Sequence, residues 1–149
     1  MRSSAIILTA VLASCGGSSS GRGPEAAPVL SAGQAMRDFM KAAADSNLTR
    51  MGQLWGTSRG PAQETGVPDN FEKRLVVLQL YLRADSSRVV SDVARSGKSD
   101  QREVKVDLYR QGCKKQVPAL MIRLGNQGWI VNEIDLVPAG NPARPCEPA

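Results

Sequence analysis

The chain of 149 residues carries 19 Lys and Arg against 14 Asp and Glu, three cysteines and no histidine, for a net charge of +5. A length of this order supports one domain around one core. Charges of both signs spread along the chain argue against nucleic-acid binding, which calls for a clustered basic face with interleaved aromatics, and the missing histidine argues against a zinc site.

The chain opens with "MRSSAIILTAVLASC", a positive charge at Arg2, an apolar run from Ala5 to Ala13, then small residues. The run is too short to span a bilayer, which takes about 20 apolar residues, and it has the layout of a secretory signal peptide. Its last four residues, Leu12-Ala13-Ser14-Cys15, resemble the lipobox of bacterial lipoproteins. In that family the cysteine is diacylated on sulfur and the signal is cut just before it. The resemblance implies a signal peptide over 1–14, lipid attachment at Cys15 and a domain held at an envelope membrane outside the cytoplasm. The alternative is an ordinary cysteine near a plain cleavage site. Loss of Arg2 with the signal would lower the net charge from +5 to +4. Residues 15–30 then form the lipidated start and a Gly, Ser and Pro-rich linker, a composition that predicts flexibility and a typical reach of about 20 Å.

The remaining segment, 31–149, reads as the folded domain with a proline-rich tail. Ser31 followed by Gln34 fits a capping box, and Ala32, Ala35, Met36, Phe39, Met40 and Ala43 recur at helical spacing up to about Ala44. Asn47 caps a second, short helix with Leu48, Met51, Leu54 and Trp55 on its apolar stripe, stopped by Gly56. Residues 57–70 read as a glycine- and proline-containing surface loop. Asp69 or Asn70 then caps a third helix with Phe71, Leu75, Leu78 and Leu82 on one side. Val76, Val77 and Leu80 widen its arc, which predicts a helix largely buried against the segment that follows.

From Arg88 the period changes to two. "REVKVDLYR" sets Val104, Val106 and Leu108 on one face and Glu103, Lys105, Asp107 and Tyr109 on the other, the pattern of a half-buried antiparallel strand. A five-residue hairpin loop over Gln111–Lys115 places Val104 opposite Ile122 and Val106 opposite Leu120. Reversal about "SGKSDQ" places Val93 opposite Val104 and Val89 opposite Leu108, and reversal about "GNQG" places Leu124 opposite Trp129 and Ile122 opposite Val131. Ile134 and Leu136 fall out of phase, so a bulge near Asn132 and Glu133 is expected; Pro118 needs a strand start or bulge. Arg110, Lys114 and Lys115 read as a solvated hairpin tip, with attraction to anionic headgroups or cell-surface polymers as the alternative. With Cys15 lipidated, Cys113 and Cys146 are an even pair in an oxidising compartment, which predicts a disulfide.

Helices followed by an antiparallel meander, with "AMRDFMKAAADSNLTRMGQLW" in front and "GWIVNEIDL" behind, resemble the nuclear transport factor 2-like group of cystatin-like α+β domains. The resemblance implies a curved four-stranded antiparallel sheet wrapped around helices as a cone-shaped single α+β domain. It also implies a cavity used for ligand binding, dimer contacts or, in some members, acid/base catalysis. The family often has a short strand between the second and third helices, where this sequence offers a loop. Trp55, Tyr81, Arg123 and Trp129 are the candidates for a pocket mouth, with core packing as the other reading of Trp55 and Trp129. Catalysis needs an oriented carboxylate or histidine. Here Glu103 and Asp107 alternate away from the core face, the bulge moves Glu133 out, Asp38 sits beside the apolar stripe as a solvated group and no nucleophile has a base partner, so no catalytic residue, metal or cofactor is expected. The expected function is a noncatalytic lipoprotein that binds an envelope protein or glycan, with the oligomeric state left open between monomer and dimer. A small-molecule carrier or sensor is the alternative, with an isomerase or hydrolase in the same cavity behind it.

Overall fold

The computed structural model describes residues 31–148, with Asn126 as backbone only; the segments expected to be signal peptide and linker, and Cys15, lie outside the described residues. Helix α1 (Ala32–Ala44) begins where Ser31 Oγ accepts the Gln34 amide, as expected. Only half of the capping box forms, because the Gln34 side chain turns to Asp38 and Arg37 instead. Met36 and Phe39 from this helix are fully buried. Asn47 caps α2 (Leu48–Leu54) by accepting the Arg50 amide at 2.9 Å.

The stretch expected as an irregular loop is more ordered than its composition suggests. A two-stranded hairpin, β1 (Gly56–Thr57) and β2 (Gly60–Pro61), leads into a single helical turn, α3 (Ala62–Thr65). Gly56 is required there, since a Cβ would run into the backbone of Gly60 and Ala62. Helix α4 (Phe71–Leu82) follows, with Asn70 in the left-handed region at its start. It buries Leu75, Leu78 and Leu82 and packs mainly on α1 and α2. The expectation of a helix largely buried against the following strands is therefore corrected: Val76, Val77 and Leu80 are 50%, 47% and 57% exposed.

The meander forms one open antiparallel sheet in the order β3 (Ser86–Arg95), β4 (Lys98–Arg110), β5 (Cys113–Arg123), β6 (Trp129–Ile134). With the helices on one face, this is the expected α+β domain. The β4–β5 turn differs from expectation. It has two residues, Gln111 (φ 48°) and Gly112 (φ 79°), closed by the Arg110–Cys113 pair, and Asp85 Oδ2 accepts the Gln111 amide at 2.8 Å. Positive φ at both positions matches the right-handed strand twist, which a longer loop does not. Val104 therefore faces Ala119 and Val106 faces Val117, an odd shift from the expected register that turns β5 over. Val117, Ala119 and Met121 join the core, while Leu120 and Ile122 sit at alternate positions on the other face.

The neighbouring registers also move. Val89 pairs with Val106 and, past a bulge, Val93 with Glu103, so Val93 is exposed. On the other side Ile122 pairs with Ile130 and Met121 with Val131. The expected bulge is present at Asn132: beyond it Glu133 faces Leu120 and Ile134 faces Ala119, which restores Ile134 to the core side. Pro118 accepts the Asp135 amide at 3.0 Å through its carbonyl, so its missing donor lies on the side where β6 has already ended. Cys113 and Cys146 form a disulfide, Cα–Cα 5.3 Å, that ties the tail to the start of β5.

Candidate functional site

The space between α1 and the sheet is occupied by buried side chains, among them Phe39, Met36, Met51, Leu108 and Met121. Concave surface lies at the margins. A groove of about 540 Å³ runs between α4 and the second half of β6. Trp55, at the C-cap of α2, enters it because its extended backbone (φ −127°, ψ 143°) pairs alongside Val131. Asn132, the extra residue of the bulge, donates from Nδ2 to Gly56 O at 2.9 Å and locks this corner. Val77 and Leu78 from α4 face Ile134 and Leu136 across the groove. Lys73, Arg74 and Glu133 supply its charge. Val76 and Leu80 extend the exposed apolar surface along the helix.

Such a groove can hold an apolar side chain and offer ionic contacts at its margin. Its lining includes no cysteine, serine or histidine, and Glu133 is its one carboxylate. Glu103 is exposed and pairs with Lys105 at 3.7 Å, and Asp38 accepts from Gln34 at 2.7 Å.

Asp107 lies on the sheet face opposite the core but is only 3% exposed, a burial that its strand pattern did not announce. Gln116, its cross-strand neighbour, donates to Oδ1 at 2.9 Å; Lys114 stands 3.5 Å from Oδ2. The Gln116 hydrogen bond, helped by Lys114 and Arg88, outweighs burial and holds the Asp107 carboxyl below its ordinary range. An anion so stabilised is a poor general base at neutral pH.

Arg110 also departs from the expected solvated tip. It is 6% exposed, with Nε donating to Arg83 O at 2.8 Å and Nη1 to Ala139 O at 3.3 Å. Nη2 is buried without a partner among the described residues. Burial lowers the pKa of this guanidinium, and Asp85 opposes the shift. The bridge from α4's end to the C-terminal tail is thus made by carbonyls rather than by a carboxylate.

The four candidate mouth residues are dispersed. Trp55 lines the α4–β6 groove; Arg123 lines a different groove, of about 390 Å³, near the β1–β2 turn. Tyr81 and Trp129 are half-buried and pack on the core. What sequence reasoning missed is the α4 surface, although Val76, Val77 and Leu80 were visible as an apolar arc wider than one packed stripe. Among the described residues no helix is long and apolar enough to cross a membrane, and no three potential ligands cluster for a metal ion. No protein-family model matches the chain, and no curated protein or solved structure matches it significantly.

Proposed function

We propose that this chain is a noncatalytic lipoprotein of the bacterial envelope, anchored through Cys15, whose α+β domain docks a protein partner on the face formed by α4 and β6. The observation that carries the docking reading is the row Val76, Val77 and Leu80, about half exposed, beside an apolar groove. Single exposed apolar residues are ordinary, whereas a contiguous patch with a charged rim is the composition of an interface. The dense packing around Phe39 and Met36 favours a surface site over a ligand held between helices and sheet. Lys73 and Arg74 beside the apolar floor suit a partner segment with an acidic residue next to an apolar one. Anchoring rests on the Leu12-Ala13-Ser14-Cys15 sequence and the short apolar run before it.

Two measurements test the two halves of this reading. Mass spectrometry of membrane-extracted protein should find acyl mass on Cys15, lost in Cys15→Ser; unmodified protein in aqueous fractions refutes the anchor. A photo-crosslinker placed at Val77 in cells should give one discrete protein adduct that Leu80→Asp abolishes, while the melting temperature stays within a few degrees of wild type. Equal crosslinking from Val77 and from exposed Val93 on the sheet edge refutes the docking face.

A further inference from the structure

The two ends of the sheet hold their cations differently. At the β4–β5 turn, Lys114 pairs with Asp107, Lys115 Nζ donates to Glu147 O at 2.5 Å, and Arg110 is buried on carbonyls. At the other end, Arg59 on the β1–β2 turn, Arg95 and Lys98 flanking the β3–β4 turn and Arg123 closing β5 are exposed. Among the described residues none of these four makes an ion pair, and Arg95 meets only the neutral Gln101 side chain. Asp92, the acid of that end nearest the core, is already shared between Arg102 and the Gly33 amide. Asp100 stands among these positive charges, lining a groove with two of them. Arg59 and Arg123 line one groove with Asp100, so two guanidiniums border one opening.

This is also the end where the chain enters the domain. The Gly33 amide donates to Asp92 Oδ2 at 3.1 Å, which sets the start of α1 three residues from Arg95. Fifteen residues separate Cys15 from Ser31, a length of chain that leaves an anchored domain able to turn this end to the bilayer.

We infer that this end is the bilayer-facing surface, with Arg59, Arg95, Lys98 and Arg123 docking on the phosphodiester headgroups of anionic phospholipid. The inference rests on the anchoring reading for its local concentration, while the charge arrangement is independent of it. Attraction per basic residue acts only within a screening length of about 8 Å at physiological salt, so contact rather than proximity is implied.

The test uses full-length protein purified from membranes and mixed with vesicles of phosphatidylcholine alone or with phosphatidylglycerol. The readout is energy transfer from tryptophan to a dansyl headgroup; Trp129, paired with Arg123, is at the docking end. Transfer should rise with phosphatidylglycerol, fall with added salt, and show docking weakened on the order of thirtyfold in Arg59→Gln/Arg123→Gln. Arg95→Gln/Lys98→Gln should act in the same direction, and Lys114→Gln/Lys115→Gln at the far end should not. Equal transfer in both lipids, or equal loss from the far-end variant, overturns the inference. So does loss of transfer to inorganic phosphate beyond that caused by chloride at matched ionic strength, which would assign the groove to a soluble anion. Protein that floats only with phosphatidylglycerol vesicles, in an arginine-dependent way, refutes the anchor and keeps the surface; protein that floats with neither refutes both.

Discussion

Breaking the Cys113–Cys146 bridge gives the sharpest test of how the tail is held. The two cysteines are 33 residues apart, which in the chain-entropy treatment corresponds to about 12.5 cal/mol/K removed from the unfolded chain, or about 3.7 kcal/mol at 25 °C. The closed loop contains β5 and β6, so the constraint acts on half of the sheet. With an unfolding entropy of roughly 2.1 cal/mol/K per residue over about 118 residues, the loss lowers the melting temperature by about 15 °C. Cys113 is half-buried and Cys146 exposed, so alanine at both sites adds little packing loss of its own. The assay is a calorimetric melt of wild type and Cys113→Ala/Cys146→Ala at neutral pH. The tail keeps other ties without the bridge, through Arg110 to Ala139 O and Lys115 to Glu147 O, and Ala139 is fully buried. One cooperative transition at the lower temperature is therefore expected. A drop under about 4 °C would show that the loop is not a free chain in the unfolded state. Early hydrogen exchange confined to residues 137–147 would show that the bridge clamps only the tail.

Arg110→Ala should cost about 2 to 4 kcal/mol in urea unfolding, because it strands the Arg83 and Ala139 carbonyls and leaves a void; Arg110→Met should recover more than half, since it fills the space without a buried guanidinium nitrogen lacking a partner. Recovery of less than a third would show that the two carbonyl bonds outweigh the desolvation of the charge. Asp107 gives a pH signature: its folded pKa lies below the ordinary 3.8, so its stabilisation is complete above that value and drains as pH falls through the folded pKa. The urea midpoint of wild type should exceed that of Asp107→Asn by a constant amount from about pH 7 to pH 5 and converge on it below about pH 4; a difference that grows with acid would reverse the assigned sign.

The helices were legible because their signals are local. Ser31, Asn47 and the spacing of Met36, Phe39 and Met40 determine a cap and a face within one or two turns. The bulge at Asn132 was legible for a different reason, as Ile134 had no other way back to the core. Strand register was not legible, because it hangs on turn length. Gln111-Gly112 is a two-residue turn built on left-handed φ, which glutamine rarely adopts, and its closing support comes from Asp85, 26 residues away. Both faces of β5 are apolar enough to serve as core, with Val117, Ala119 and Met121 on one and Leu120 and Ile122 on the other, so its alternation could not choose between them. The α4 groove was hidden by the same kind of ambiguity: an apolar arc reads alike whether its cover is the domain itself or something outside it.

What α4 needs for its own packing bears on that ambiguity. Leu75, Leu78 and Leu82 already supply a complete stripe against α1 and α2, each 8% exposed or less. Val76, Val77 and Leu80 lie off that stripe, and surface substitutions at such positions typically shift stability by no more than about 0.5 kcal/mol. Valine also ranks below lysine, glutamate or glutamine as a helix former, so helix propensity supplies no reason for two valines on the outer face. Neither packing nor local propensity therefore accounts for the composition of this face. The apolar groove against β6 continues it without a break through Val77, which lines the groove and is itself half exposed. Covering these residues would gain roughly 25 cal/mol per Å² of apolar surface removed from water, a gain that the proposed association would supply. On the proposed docking reading, the reason for their identity lies outside the domain, on the same face as the groove.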